Sequence, residues 1–453
     1  MRRGQDSHNC KAQYLKTGTY KMRVSMLLSK FVRRNWTGVW IGIGLLGFAV
    51  TNSCTGDTGD VSRILSVPTQ YSTVQEAVDA ARSGDIVEIS PGVYNESIKV
   101  ETDNLVIRGL NRNTVIFDGG HQKPNGFLIS ADGVSVQNLT VHSYTQNGVV
   151  FNGAEASARN TGIDSSVVYG TDGNWLDGFY VSHITSYNNG LYGIYAFAST
   201  NGIIEDSYVS GHPDSGIYVG QCSPCNTVVQ RVVADLNAIG YYGTNASGNV
   251  YVIDSVFSNN RIGIAPNSQK AEKLSPQSET FVVGNRVVNN DNPMAPRIPK
   301  GAFGLGIAVG GGTKNLVARN LVTDHDGAGI VVMALGEFDP ENNRVEENVT
   351  VDNAVDLAFA DLNVAETRGN CFTKNTFSVS LPKQIEEKLV CGKPSTSTEA
   401  LKLPELPAPL DVDYKKIPAP GDQATLSAEQ LKQIEIFPRF VAPNLAVLKV
   451  PTR

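Results

Sequence analysis

Four successive turns in the middle of the chain carry side chains able to move a proton or hold a carboxylate. They read Asn188-Asn189, His212-Pro213-Asp214, Asp235-Leu236-Asn237 and Asn259-Asn260-Arg261. An imidazole beside carboxylates is the pairing that general acid–base chemistry needs, so His212 with Asp214 or Asp235 would transfer a proton at a sugar carbon. A guanidinium meets a carboxylate through paired hydrogen bonds, so Arg261 would take an acidic group, with Asn189 and Asn237 as further substrate contacts. Solvated corners of any repeat protein also carry polar residues. What decides between the two readings is the frame that holds the turns.

That frame is a returning phrase. It reads Gly193-Ile-Tyr-Ala, Gly216-Ile-Tyr-Val, Gly240-Tyr-Tyr-Gly, Gly263-Ile-Ala-Pro, Gly306-Ile-Ala-Val and Gly329-Ile-Val-Val. The glycines are 23, 24, 23, 43 and 23 residues apart, and the 43 is expected to hide one more copy plus insertions. A fixed period of this size marks a solenoid whose repeats bury their apolar faces against one another. Strand alternation then points the residue after each glycine inward, giving the column Val149, Ile194, Ile217, Tyr241, Ile264, Ile307 and Ile330. The next residue points outward, giving Val150, Tyr195, Tyr218, Tyr242, Ala265, Ala308 and Val331. Tyr195, Tyr218 and Tyr242 thus stand on consecutive rungs, about 4.8 Å apart. A row of outward rings that keep an OH suits the flat face of a sugar, unless the loop Ala154 to Asp177 or the C-terminal tail covers it.

Composition agrees with a β protein that handles no nucleic acid. The 453 residues include 44 Gly, charged residues make up 18%, and the net charge is −6 with no basic cluster in the repeats. Residues 1–54 read as an upstream stretch and a leader. Met26 is a better start than Met1, and Lys30, Arg33 and Arg34 precede the apolar run Val39 to Val50, which is short for a membrane span. Cys54 follows at a place where a lipoprotein would be cut and lipidated, although Thr51-Asn52-Ser53 departs from the usual small-residue pattern before it. Such a lipid would tie the chain to a membrane; otherwise it is periplasmic or extracellular. Cys222, Cys225, Cys371 and Cys391 are expected to pair by proximity as Cys222–Cys225 and Cys371–Cys391, which suits an exported protein. A redox or metal role for the Cys222-x-x-Cys225 pair is the less favoured reading, since no second pair stands at zinc spacing.

Residues 55–66 form a linker, 67–391 the solenoid, and 392–453 a proline-rich tail with one short helix, Ser427 to Ile436. The solenoid opens on an amphipathic helix from Ser72, its N-cap, to Arg82, with Val74, Ala77, Val78 and Ala81 on one face as an N-terminal cap. Leu381 to Leu389 would be a short helix at the far end. Asn138, Asp206, Asp254, Asn285, Asn320 and Asn348 open inner strands, where an amide satisfies turn backbone and stacks on its copies.

The string Thr73-Val-Gln-Glu-Ala-Val…Ala81-Arg-Ser-Gly-Asp-Ile-Val-Glu-Ile-Ser-Pro-Gly-Val-Tyr94 resembles the entry to right-handed parallel β-helix domains of exported bacterial proteins. That group includes periplasmic accessory proteins of nitrous-oxide reductase and belongs to the pectin-lyase-like superfamily. The resemblance, over Val67 to Ser378, implies an all-β right-handed parallel β-helix of roughly 10–12 rungs. It implies little about activity. Asp324-His325-Asp326 is loosely similar to alginate-epimerase motifs, and Asp324 and Asp326 would be the residues for Ca²⁺, a thin case that leaves the chain with no expected cofactor or metal. His325 lies four or five rungs from His212, roughly 20–25 Å, so the two cannot share a substrate atom. No polygalacturonase or pectate-lyase signature is present. The expectation is therefore an exported, monomeric envelope protein that binds polysaccharide along one face. A polysaccharide lyase, epimerase or hydrolase is the alternative, and an accessory to envelope metal-enzyme maturation a second.

Overall fold

Short strands rich in Val and Ile cannot bury both faces alone, so each leans on the strand one turn later. The computed structural model describes residues 62–153, 175–296, 303–360, 368–393, 412–433 and 438–452, with 403, 406, 407 and 409. One side of the coil is a parallel sheet of eleven strands, one per turn, and the strands of the other sides join in a sheet of twenty. In the smaller sheet Tyr192–Phe197 pairs with Ser215–Gly220, then Ile239–Thr244, Ile262–Asn267, Leu305–Gly310, Ala328–Met333 and Val355–Ala360. The chain is an all-β parallel solenoid of about eleven turns.

The register follows from the inward column. Val149, Ile194, Ile217, Tyr241, Ile264, Ile307, Ile330 and Leu357 are all fully buried and stand in one file. Each such burial contributes about 1.5–3 kcal/mol, and a one-residue slip would turn the whole file outward. The gap of 43 residues holds no extra copy, because Ile264 pairs directly with Ile307. The surplus instead falls in two connections of that single turn, 268–279 and 289–304.

Turn corners leave backbone N–H groups without strand partners, and stacked amides take them up. At one corner Asn320 Oδ1 accepts from the Asn285 N–H (2.9 Å) and Nδ2 (3.0 Å). Asn348 does the same for Asn320 (2.9 Å and 2.9 Å), and Asn375 for Asn348 (3.0 Å and 2.9 Å). The Glu386 carboxylate closes this ladder on the Asn375 N–H (2.8 Å). A second ladder runs through Gln277, Asn315, Asn343 and Asn370.

The ends differ from expectation in detail. The first strand, Ile64–Val67, pairs with Ile86–Ile89, so the solenoid begins inside the stretch read as linker. Helix α1 spans Val74–Ala80 and is capped by Thr73, whose hydroxyl accepts from the Glu76 N–H (3.1 Å) in a capping box. Ser72 instead donates to the Glu76 carboxylate (2.6 Å), and Ala81 is already extended, which stops the helix early. Val74, Ala77 and Val78 join the core beside the first strands. Helix α2, Ile385–Lys388, buries Ile385 at the other end, and both predicted disulfides are formed.

The described parts of the tail strap the solenoid. Leu403 packs on the apolar outer face of the smaller sheet, and the Ile417 carbonyl accepts from Asn188 Nδ2 (2.8 Å). Leu426 meets Asn138, and the Leu431 carbonyl, in helix α3 (Ala428–Gln433), meets Arg108 near the first turns. The chain then returns: Phe440 and Leu448 pack beside Tyr251 and Phe281, and the Leu445 carbonyl accepts from Arg319 (2.8 Å). Replacing Asn320 by Ala leaves the buried Asn285 N–H without its acceptor and strips the Val282 carbonyl of its side-chain donor. We expect a loss of at least about 2 kcal/mol in urea unfolding, since each buried orphan costs about 1–3 kcal/mol; an unchanged midpoint would contradict the ladder's role.

Candidate functional site

The side chains singled out in the four turns do not form one site. A third ladder takes most of them inside: Asn189, His212, Asn237, Asn260, Asn290, His325 and Asn353 occupy equivalent corners and are buried. His212 Nδ1 bonds to Asn237 Oδ1 (2.8 Å), while Nε2 lies 3.3 Å from Asn189 Nδ2. His325 repeats the pattern, with Nδ1 to Asn353 Oδ1 (2.8 Å) and Nε2 to Asn290 Nδ2 (3.1 Å). An imidazole that donates at Nδ1 and accepts at Nε2 imitates an amide and must stay neutral. Burial accordingly pushes both histidines down to about 4, while the bond to Asn237 or Asn353 opposes it. His212 therefore does not reach a surface polymer, and Asn189 and Asn237 are ladder members rather than substrate contacts. The cause is local: the residue after each left-handed corner, such as Asn188 (φ 51°) and Leu236 (φ 56°), turns its side chain inward.

Asp235 and Arg261 are also elsewhere. The Asp235 carboxylate accepts from Asn259 Nδ2 (2.7 Å), Ser258 (2.8 Å) and Tyr208 (3.3 Å) on the larger sheet. Arg261 is 2% exposed, and its Nε donates to the Ala295 carbonyl (2.8 Å), so it anchors the connection after Asn290 instead of facing a ligand.

What remains is an aromatic wall on the outer face of the smaller sheet. Tyr195 stacks on Tyr218, with centroids 4.8 Å apart and planes 23° apart. Tyr192 lies 4.7 Å from Tyr195, Phe197 5.7 Å from Tyr195, and Tyr242 6.1 Å from Tyr218. Tyr218 is the buried member, at 2% exposure; its hydroxyl donates to the Glu272 carboxylate (3.0 Å). Tyr192, Tyr195 and Tyr242 are half-buried and supply the accessible ring surface. Gln269 donates to the Tyr242 hydroxyl, and Trp175 packs against the same cluster. The loop suspected of covering this wall, residues 154–174, lies outside the described residues, as do Cys54 and the leader.

Asp214 belongs to this wall. Burial raises its carboxyl to about 7, against a lowering hydrogen bond from Tyr192, whose own phenol is pushed well up, chiefly by burial. Near neutral pH the half-buried carboxyl is thus divided between a proton donor and an acceptor, beside the rings of the wall. Tyr192 and Glu272 had no local signal. Tyr192 falls one place before its glycine, and Glu272 enters from a connection 54 residues beyond Tyr218.

Past Tyr242 the outward residues shrink to Ala265 and Ala308, flanked by Ile239, Ile262 and Leu305. A trough of about 680 Å³ results, lined also by Gln269, Lys270, Leu335 and Phe338. Lys270 and Glu337 pair across its rim at 2.8 Å. Asp324 accepts from Thr323 (2.5 Å), and the Asp326 N–H donates to Asp291 (2.8 Å). Among the described residues no group of three or more His, Cys, Asp or Glu side chains is placed to hold a metal. No described helix is long and apolar enough to cross a membrane.

The family model for a right-handed β-helix region matches residues 125–274, which gives the winding its hand. The A-module of the Azotobacter vinelandii mannuronan C-5 epimerase AlgE4 is 12% identical, with TM-score 0.43 over 68% of this chain and 91% of that one. The enzymatically active domain of bacteriophage CBA120 tailspike protein 2 is 11% identical, with TM-score 0.40 over 68% and 40%. The pectate lyase Pel9A is 13% identical, with TM-score 0.37 over 70% and 77%. Likenesses this loose say nothing about chemistry. No curated protein sequence matches the chain.

Both histidines titrate lower in the folded chain than the usual 6.5, so the unfolded chain binds more protons between pH 6.5 and 4. Stability is full above that window and falls as the pH drops through it. The double variant His212→Asn, His325→Asn keeps the ladder and is expected to lose less stability on acidification, read from thermal midpoints at pH 7, 5.5 and 4. Parallel losses in both proteins would contradict this.

Proposed function

We propose that the tyrosine wall binds polysaccharide and that the protein is an exported component of the cell envelope. The observation that supports this is the aromatic surface of Tyr192, Tyr195 and Tyr242, bordered by Asp214. Rings that keep a hydroxyl at the edge pair an apolar face with hydrogen bonds, which is what a sugar ring presents. The two disulfides support export. Lipidation of Cys54 would add a membrane anchor, and a diacylglyceryl mass shift on that residue tests it.

One observation favours a second reading, that the wall is catalytic. A carboxyl raised to about 7 is suited to give a proton to a glycosidic or ring oxygen, and Asp214 is then the acid. His212 and Asp235 have no part in it, for the reasons of place given above.

Calorimetry with a panel of uronate and neutral oligosaccharides tests the binding reading. Tyr195→Ala is expected to weaken the best ligand roughly tenfold, the loss of about 1.4 kcal/mol of stacking; an unchanged affinity would sink the assignment. If the wall is catalytic, the panel also yields new reducing or unsaturated ends. Their rate falls as the pH rises through about 7, because the proton donor is lost, and Asp214→Asn abolishes it. Full activity in Asp214→Asn would remove Asp214 from the chemistry.

A further inference from the structure

The strap lies over the first turns in a way that its own side chains do not explain. Between Ile417 and Ser427 the sequence is Ile-Pro-Ala-Pro-Gly-Asp-Gln-Ala-Thr-Leu-Ser, and its buried side chains are Ile417 and Leu426. Its main chain is what the solenoid grips. Asn113 holds both sides of Gln423, donating to its carbonyl (2.9 Å) and accepting from its N–H (3.0 Å). Asn138 accepts from the Leu426 N–H (2.9 Å) and the Thr425 hydroxyl (2.8 Å). Arg112 donates to the Ala424 carbonyl (3.0 Å), and Arg108 to the Leu431 carbonyl (2.5 Å).

The grip runs through neutral acceptors. Arg112 is 2% exposed, and its other hydrogen bonds go to Thr185 (2.7 Å) and to the carbonyls of Ile184 (2.5 Å) and Asp206 (3.1 Å). Every one of these acceptors is neutral; the Asp206 carboxylate attracts Arg112 through space but accepts its hydrogen bonds from Arg231, at 2.9 Å, which also pairs with Glu205. Burial lowers Arg112 to about 10, which still leaves it charged at neutral pH. Gln137 shares a row with Arg108 and faces outward, fully buried. Neither amide atom of Gln137, nor the hydroxyl of the neighbouring buried Ser135, has a partner among the described residues. Native proteins rarely leave such atoms unpaired, because each costs the full desolvation of a polar group.

We propose that this outer face of the larger sheet is a second ligand groove, built for a strand of acidic polysaccharide, and that residues 417–431 occupy it as a displaceable surrogate. Sugar hydroxyls would pair Gln137, Ser135, Asn113 and Asn138, and a carboxylate on Arg112 would replace the Ala424 carbonyl with a charge-assisted bond. The groove is on a different sheet from the tyrosine wall and does not rest on it.

The test uses the full chain carrying Leu426→Asp and Leu431→Asp, which puts two charges beneath the strap. Trypsin cleavage at Lys432 reports its release, and circular dichroism reports the solenoid. Oligogalacturonate is expected to bind at least tenfold more tightly than to the parent chain. The gain should vanish when Arg112→Gln is added, survive Tyr195→Ala, and be competed by a synthetic peptide of residues 417–431. A released strap over a folded solenoid with no gain overturns the proposal, and so does an equal gain with a neutral cello-oligosaccharide. If the double variant unfolds, Gln423→Pro replaces it, removing the N–H held by Asn113 and the side chain's bond to the Gly421 carbonyl; a strap released by the same trypsin readout with no gain is equally fatal.

Discussion

A side-chain amide that donates and accepts along the solenoid axis is the interaction on which everything else here depends. Strands of two to twelve residues pair with the turns before and after, but the corners between them have no strand to meet. An asparagine there takes the N–H of the turn before it and passes its own on. Two of the three ladders end on an acceptor without donors, at Glu386 and at Asp356, whose carboxylate accepts from Asn353 Nδ2 (3.0 Å). Because every turn hands its hydrogen bond to the next, the repeat tolerates a change of residue type only where the newcomer keeps both roles. His212 and His325 satisfy that condition as neutral imidazoles.

This explains which parts were readable from sequence. The period, the inward file from Val149 to Ile330 and the outward direction of Tyr195, Tyr218 and Tyr242 depend on alternation alone, and the pairing agrees with them. Exposure depends on what arrives from far along the chain. Glu272 reaches back to accept from the Tyr218 hydroxyl, and no local pattern announces that. Polarity was misleading at the corners, since Asn189, His212 and Asn237 look like surface residues and are core ones. The spacing of 43 residues was read as two turns because length alone does not separate an added rung from enlarged connections.

Fixed register also divides the outer face of the smaller sheet by chemistry. The rings stand on the turns of Tyr195, Tyr218 and Tyr242, and the small residues on those of Ala265 and Ala308. Asp214 sits at the aromatic end, where desolvation raises its carboxyl and makes its protonation state sensitive to whatever covers the rings. The chemistry of the wall and its occupancy are thus linked through one carboxyl group.

The strap changes what kind of object the solenoid is. A stack held only by nearest neighbours behaves as a one-dimensional chain of weak links, free to unravel from either end one coil at a time. Here a single stretch of polypeptide touches Arg108 near the start and Arg319 toward the finish. Such a cord ties distant coils to one another, so pulling on a terminus would load many of them together. Stretched, the molecule should resist and then give way in one large event, rather than paying out in a staircase of equal steps.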